Sequence, residues 1–418
     1  MKKIKVGILL LPIFVYAQNF NDIKTEISNS LKYKMQQNKI KIYEKKLKSI
    51  KAKNYGSLDL EYNAVHLFKQ PVMKMDFMNT KMEMPASDKN NYTGVIKYSY
   101  PLFTGFAITT SISKSEIELI KEKLNLKNVK RELLLNSAEI YSNIYAIKAK
   151  IKALKTAKQA LLSAKEKAVG FYEAGMLDKS KVDEIDAKYF EIIALIDEAK
   201  AQKKSLLNLL SYIVNTKITS IDDIDTSSYT LAPNFENRPD IQAIKQTLKI
   251  ADKDIKLAKS KYYPQIGIEA GLKREADSAV LDDNDYQNTD KSYVGLGIKY
   301  NIFDGGAKDS TLQMAKIAKN TQMIFYRDYL NNVKTEYDND VNKLNALKIQ
   351  LQSALKEIKA RKSYYDYMKA KFDEGLVDVT DLNDAISQLA SSKAKKEAIK
   401  AQIFFLNQKL KLNGGYDE

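Results

Sequence analysis

Residues 293–323 read YVGLGIKYNIFDGGAKDSTLQMAKIAKNTQM, and two periodicities meet inside them. Up to Ile302 the apolar residues Val294, Leu296, Ile298, Tyr300 and Ile302 alternate with Gly295, Gly297, Lys299 and Asn301, the period of a strand with one apolar face. Beyond Gly305 and Gly306 the spacing changes to seven, through Met323, Leu330, Tyr337, Leu344, Leu351, Ile358, Tyr365 and Phe372. A seven-residue repeat held this long describes a helix of about 60 residues, supercoiled to the left. The same transition stands two hundred residues earlier. There Ile96, Tyr98, Tyr100 and Leu102 alternate with Lys97 and Ser99, and after Gly105 a seam runs through Ile112, Leu119, Leu126, Leu133, Ile140, Ile147, Leu154, Leu161 and Ala168. Tyr100, Phe103 and Gly105 align without gaps with Tyr300, Phe303 and Gly305, and Tyr172, Gly175 and Asp178 with Phe372, Gly375 and Asp378. A register kept through so much helix means that its length is set by geometry, so the chain is read as two internal repeats.

Each repeat reads strand, loop, strand, very long helix, turn, returning helix. The upstream strands place Leu58, Leu60, Tyr62 and Ala64 against Asp59, Glu61 and Asn63, and Ile266, Ile268, Ala270 and Leu272 against Gln265, Glu269 and Lys273. The expected first repeat covers 18–215, with an N-terminal helix, a strand pair near 56–68 and 92–103, and a helical hairpin at 106–215. A linker follows at 216–237, where the heptads lapse. The second repeat, 238–413, holds a helix, a strand pair near 264–274 and 292–303, and a hairpin at 306–413, before a tail at 414–418. Small residues beside the seam, such as Ala149, Ala153 and Ala157, let neighbouring helices approach on more than one flank, as a wall of helices requires.

Composition narrows the options. The 418 residues include only 15 Gly and 7 Pro, so long uninterrupted elements are expected. Residues 1–17 join Lys2, Lys3 and Lys5 to the apolar run Val6 to Val15 and the small-residue ending Val15-Tyr16-Ala17, the pattern of a secretory signal. Cysteine is absent, which removes disulfides, thiolate chemistry and a lipidated N-terminal Cys. After residue 17 no apolar stretch approaches the roughly 18–20 residues of a spanning helix, so a membrane location would require a β-barrel. The net charge of +16 does not point to nucleic acid, because basic and acidic residues interleave at helical spacing, as in Lys114 with Glu118 and Glu357 with Arg361. That pattern reads as a solvated helix face. No nucleophile, base or metal constellation is evident, and His66 stands alone, so neither an enzyme nor a cofactor is expected. Five methionines lie between Met73 and Met84; thioethers at such spacing bind Cu(I), although a flexible surface loop is the commoner reading. The equivalent loop of the second repeat carries Asp277, Asp282, Asp283, Asp285 and Asp290, either a Ca²⁺ site or, more commonly, a solvated acidic loop.

Each strand has the length of a tilted membrane strand, about 9–11 residues. Four strands without a covering layer cannot close a barrel, and lipid tolerates no open edge. Several copies must therefore pool them. Three would supply twelve strands around an aqueous lumen and two only eight around a filled interior, which favours a cyclic trimer while leaving a tetramer open. A secreted coiled-coil adhesin or filament accounts for the heptads but not for the strands or the repeated glycine corners.

The phrases YNIFDGGAKDS, RPDIQAIKQTLKIADKDIKLAKSKYYPQIGIEAGL and FDEGLVDVTDLNDA make the mature chain resemble the outer-membrane efflux protein family, the TolC-like channel-tunnels. The resemblance implies a mostly α protein with membrane β: a four-stranded contribution to a trimeric 12-stranded β-barrel, and long coiled-coil hairpins forming a periplasmic α-barrel. It implies a homotrimer in outer-membrane lipid, extending into the periplasm. It also implies a periplasmic adaptor (membrane fusion) protein and an inner-membrane pump of RND, ABC or MFS type, serving tripartite efflux or type I secretion. Pro101, Phe103, Gly105, Phe303, Gly305 and Gly306 would form the barrel-to-helix corners. Tyr172, Gly175, Asp178, Phe372, Gly375 and Asp378 would form hairpin tips that meet the adaptor, with Asp178 and Asp378 capping the returning helices. Asp381 and Asp384, three apart on one helix face, would ring the periplasmic gate with Phe372 and Lys181. Where the family latches that gate with a tyrosine, an arginine and an aspartate, this chain has Phe372, Val377 and Lys181, so a pairing of Lys181 with Asp381 or Asp378 is the expected substitute.

Overall fold

A computed structural model describes residues 18–78, 80–227 and 232–416; the expected secretory signal lies outside the described residues. In chain order the elements are α1 (Phe20–Glu26), α2 (Leu31–Ala52), β1 (Ser57–His66), β2 (Val72–Phe77), β3 (Thr80–Pro85), β4 (Asn90–Phe103), α3 (Ala107–Glu173) and α4 (Lys179–Val214). After the linker come α5 (Pro239–Ser260), β5 (Gln265–Ala276), β6 (Tyr293–Lys299), α6 (Ala307–Asp373) and α7 (Val379–Asn413). The chain divides into a helical unit, 1–38 with 124–242 and 327–418, and a sheet-bearing unit, 39–123 with 243–326.

In the sheet-bearing unit one antiparallel sheet has the order β1-β4-β5-β6, leaving β1 and β6 as edges. The expected last strand is shorter than its alternation suggested. Lys299 pairs with Gln265, the first residue of β5, and Pro264 before it has no N–H to continue the ladder, so Tyr300 to Phe303 leave the sheet. The methionine segment is not a loop but a second, two-stranded sheet of β2 and β3. The acidic loop spends its carboxylates on its own turns: Asp277 accepts from the Asp285 N–H at 3.0 Å and Asp290 from the Ser292 N–H at 2.9 Å. Among the described residues no three His, Cys, Asp or Glu side chains are placed to hold a metal ion.

Charges read as a solvated helix face in part join neighbouring helices. Lys114 reaches Asp254 of α5 at 2.5 Å, while Glu118 takes Lys46 of α2 at 2.5 Å and Lys319 of α6 takes Asp252 at 2.7 Å. In the helical unit Glu357 likewise pairs with Lys395 at 2.9 Å, and Arg361 donates to Gln388 at 2.5 Å. A side chain three to four bonds long reaches a packed neighbour as readily as its own next turn, and sequence spacing does not register the neighbour.

Among the described residues the helical unit has three apolar clusters, and within it every seam position from Leu133 to Ala168 and from Leu330 to Phe372 is buried or half-buried. In the first, Phe20, Tyr141 and Phe404 pack with ring centroids 5.4 to 5.9 Å apart. The hydroxyl of fully buried Tyr141 donates toward the carbonyls of Gln18 (3.1 Å) and Asp222 (3.3 Å). Those two segments also exchange backbone hydrogen bonds, from Gln18 N–H to the Ser220 carbonyl and from Asp222 N–H to that of Gln18. The linker is thereby tied down at 220–222, and burial with nearby carboxylates raises the Tyr141 hydroxyl pKa, which keeps it a donor.

Candidate functional site

The sheet register aligns the apolar residues in rows across all its strands. Leu58, Tyr98, Ala270 and Val294 form one row; Leu60, Ile96 and Leu272 the next; Tyr100, Ile268 and Leu296 another. Because side chains opposite one another share a face, this is one continuous apolar surface. Among the described residues nothing covers it: Leu60 is 78% exposed, Leu272 65% and Val294 80%. The other face holds Asp59, Glu61, Lys97, Glu269 and Lys273, with Lys97 3.8 Å from Glu61. An exposed apolar area of this extent marks a surface that meets something apolar. Free edges at β1 and β6 add unpaired backbone groups on both sides.

Where strands become helices, both repeats use left-handed backbone. Gly105 has φ +61° and Gly305 φ +67°, and the following residues continue with Phe106 at +68° and Gly306 at +88°. Phenylalanine at that position was not anticipated. Its ring lies edge-on to Phe103 (5.2 Å) and Tyr263 (5.7 Å), contacts that offset the backbone cost of about 1–2 kcal/mol. The ladder between β4 and β5 shifts between Pro101 and Phe103, turning the strand into its corner. The two glycines differ in their surroundings. A Cβ on Gly105 would lie 2.4 Å from the Ser260 carbonyl oxygen, whereas one on Gly305 would meet nothing within 4 Å among the described residues. Gly105→Ala is therefore expected to lower the thermal unfolding midpoint clearly more than Gly305→Ala, which carries only the torsional cost of about 1 kcal/mol. Calorimetry on the two variants in one detergent checks this.

At the ends of α3 and α6 the chain turns in two nearly identical ways. Gly175 N–H bonds the Tyr172 carbonyl (2.9 Å) and Met176 N–H that of Phe171 (2.8 Å); Gly375 and Leu376 repeat this on Phe372 (3.0 Å) and Lys371 (2.8 Å). Both glycines have positive φ, the usual helix stop. Phe372 is buried against Phe171, their ring centroids 5.9 Å apart. Asp378 caps α7 through the Thr380 N–H at 3.2 Å, but Asp178, at the matching position of α4, makes no side-chain cap bond. Asp378 has a further partner: Lys181 of α4 sits 2.8 Å from its carboxylate and 3.3 Å from Glu184, and Thr380 donates to Glu184 at 2.9 Å. Lys181 thus takes Asp378 rather than Asp381 and joins the two hairpins. The hydrogen bond from Lys181 lowers the Asp378 pKa, and the bonds to Asp378 and then Glu184 raise that of Lys181. Asp381 and Asp384 are exposed on one side of α7, whose other side buries Leu382, Asn383, Ala385 and Ile386. Val377 is half-buried against the apolar cluster at these tips.

The Arg238-Pro239-Asp240 phrase has a structural explanation that sequence reading did not reach. Proline, whose missing N–H costs nothing there, opens α5, and Asp240 in the first turn accepts from the Ile241 N–H at 2.9 Å. Arg238 grips the carboxylate with two bonds of 3.1 and 2.6 Å. Arg131 (3.1 Å) and the Tyr329 hydroxyl (2.7 Å) complete the shell, and Arg131 also donates to Asn413 at 2.6 Å. Arg131, Tyr329 and Asn413 lie too far along the chain for any spacing rule to connect them.

Residues 234–410 match the family described as outer membrane efflux protein. The chain is 20% identical over 255 residues to the outer membrane efflux protein BepC of Brucella suis biovar 1; the match covers 59% of this chain and spans just over half, 55%, of that protein. Its fold is similar to that of CusC, whose crystal structures concern folding and transmembrane channel formation, with a TM-score of 0.81 at 14% identity over 96% of this chain and 93% of that one. It is similar also to the outer membrane protein VceC of Vibrio cholerae, with a TM-score of 0.75 at 16% identity, covering 95% and 96% of the two chains. The second half of the chain thus matches the outer membrane efflux protein family in sequence, and over nearly its whole length the chain shares the fold of CusC and VceC, mostly helical with a small sheet.

Proposed function

We propose that this protein is one subunit of an outer-membrane channel through which substrates leave the cell passively. Three copies close a 12-stranded barrel, and their helices form a periplasmic tunnel; a periplasmic adaptor docks at the hairpin tips and an inner-membrane pump loads the duct, in tripartite efflux or type I secretion. The observation that carries this reading is the uncovered apolar face of a four-stranded sheet whose two edges are unpaired. Lipid supplies the cover for that face, and neighbouring copies supply partners for β1 and β6. The role follows from the same geometry: a closed ring of amphipathic strands surrounds a lumen lined by their polar face, and no reaction has to occur in it. The test is the mass of the purified, detergent-solubilised chain together with its conductance in a planar bilayer. A trimer that conducts ions is expected; a monomer that conducts none would overturn the proposal.

Within this reading the tips are the gate. Lys181, bridging Asp378 and Glu184, holds the two hairpins of a protomer together, and Asp381 and Asp384 contribute rings of carboxylates that favour cations and resist closer approach. Lys181→Glu replaces two attractions with repulsions at the same site. The expected result is a higher single-channel conductance than wild type, with most of the change reproduced by Lys181→Ala. Conductance unchanged in both variants would remove Lys181 from the gate.

A further inference from the structure

The methionine hairpin is the feature that the channel reading does not use. Its register pairs Met73 with Met84 and Met75 with Met82. Directly opposed residues share a face, and so do residues two apart on one strand, so all four thioethers stand on the same side of the hairpin. The expected spacings are about 5 Å across the strands and about 7 Å along them. Each sulfur ends an unbranched arm with three rotatable bonds, so neighbouring sulfurs can converge on one point. All four side chains are about half exposed and open to an ion from solution.

The opposite face is built differently. Lys74 lies opposite Glu83, with an ion pair of 2.9 Å, and Asp76 lies opposite Lys81. These charges fix the register and hence which sulfurs face one another. Carboxylates, the ligands of hard cations, are confined to that face, while the methionine face carries the four thioethers, with the Thr80 hydroxyl at its turn end and no charged group.

Two further observations separate a binding face from an ordinary greasy one. Five of the eleven methionines fall within residues 73–84, whereas β1, β4, β5 and β6, which carry the large apolar face, contain none and use Leu, Ile, Val and Tyr instead. Branched and aromatic side chains are also the better strand formers, so packing alone gives no reason to concentrate unbranched thioethers here. The chain moreover has no cysteine, and thioethers are soft ligands that cannot be lost to disulfide formation.

We propose that Met73, Met75, Met82 and Met84 form a binding site for a soft monovalent cation, Cu(I) or Ag(I). The site is independent of the channel reading, because it needs only the hairpin. The full-length chain in detergent, under anaerobic conditions, is mixed with Cu(I) held by bicinchoninate, and transfer is followed by loss of the coloured complex. The wild type is expected to withdraw about one Cu(I) per chain, with a sulfur-only first shell in X-ray absorption. The variant carrying Met73→Leu, Met75→Leu, Met82→Leu and Met84→Leu keeps volume and apolar character and is expected to withdraw none, while Met176→Leu behaves as wild type. No transfer to the wild type, full transfer to the fourfold variant, or a shell of oxygen and nitrogen would each overturn the assignment.

Discussion

Asp240→Ala is expected to be among the most destabilising single substitutions in this protein, costing about 3–5 kcal/mol, the range for removing one partner of a buried ion pair. The magnitude follows from what remains. Arg238 and Arg131 are both nearly enclosed and converge on this one carboxylate, so its removal leaves two guanidinium groups facing each other without an anion. Tyr329 loses its hydrogen bond to this carboxylate, and the first turn of α5 loses its acidic residue. Asp240→Asn is expected to do nearly as much harm, because the amide keeps the shape and loses the charge. Urea unfolding in a fixed detergent reads both. The carboxyl also has a pH signature. Burial pushes its pKa up, but the hydrogen bonds from Arg238 and the charges of Arg131 and Arg238 outweigh that and hold it at about 2, against an ordinary 3.8. A folded-state pKa below the unfolded one contributes stability that is fully present above 3.8 and lost as the pH falls through about 2. About 2 kcal/mol should disappear in that window in the wild type, and Asp240→Asn should lack that part of the acid limb. Equal acid limbs in the two proteins would show that the carboxylate is not held as the hydrogen bonds indicate.

What was legible in the sequence is what a single chain writes along its own length. The seam through Leu133, Ile140 and Leu154 records helix packing at one fixed interval, and the alternation Leu58, Leu60, Tyr62 records one face of a strand, so both elements are visible without a partner. Where a property depends on a partner, reading failed. The alternation continues through Tyr300 and Ile302, yet β6 ends at Lys299 because β5 has no residue left to pair. Lys114 and Glu118 sit at ideal helical spacing, yet each prefers a neighbouring helix. Met73 to Met84 resemble a loop until the register shows Met73 facing Met84. The candidate site divides in the same way. The glycines of the corners and tips were legible because a left-handed backbone demands them, whereas Phe106 in that conformation was hidden, its support coming from Phe103 and Tyr263. The Lys181 to Asp378 bridge was accessible only as one of two options, since Asp378 and Asp381 are one helical turn apart.

Leu60→Arg should abolish assembly in the outer membrane, while Asn63→Arg, three residues along the same strand, should be tolerated. Both positions are on edge strand β1, both are exposed in the isolated chain, and both variants introduce the same side chain. They differ only in face. Leu60 stands in the row of Ile96 and Leu272, whereas Asn63 shares the side of Asp59 and Glu61. If the first side meets hydrocarbon, each arginine placed near the bilayer midplane costs about 2–4 kcal/mol, and a ring of three copies incurs it three times over, enough to exceed the stability of most folded assemblies. An arginine on the second side faces water in the lumen and costs little. The measurements are recovery in the outer-membrane fraction, heat-modifiable migration on gels, and conductance of purified protein. If the two variants assembled and conducted alike, the apolar face would not be a lipid-facing surface. The unpaired edges of β1 and β6 would then need some cover other than a ring of identical subunits in a bilayer.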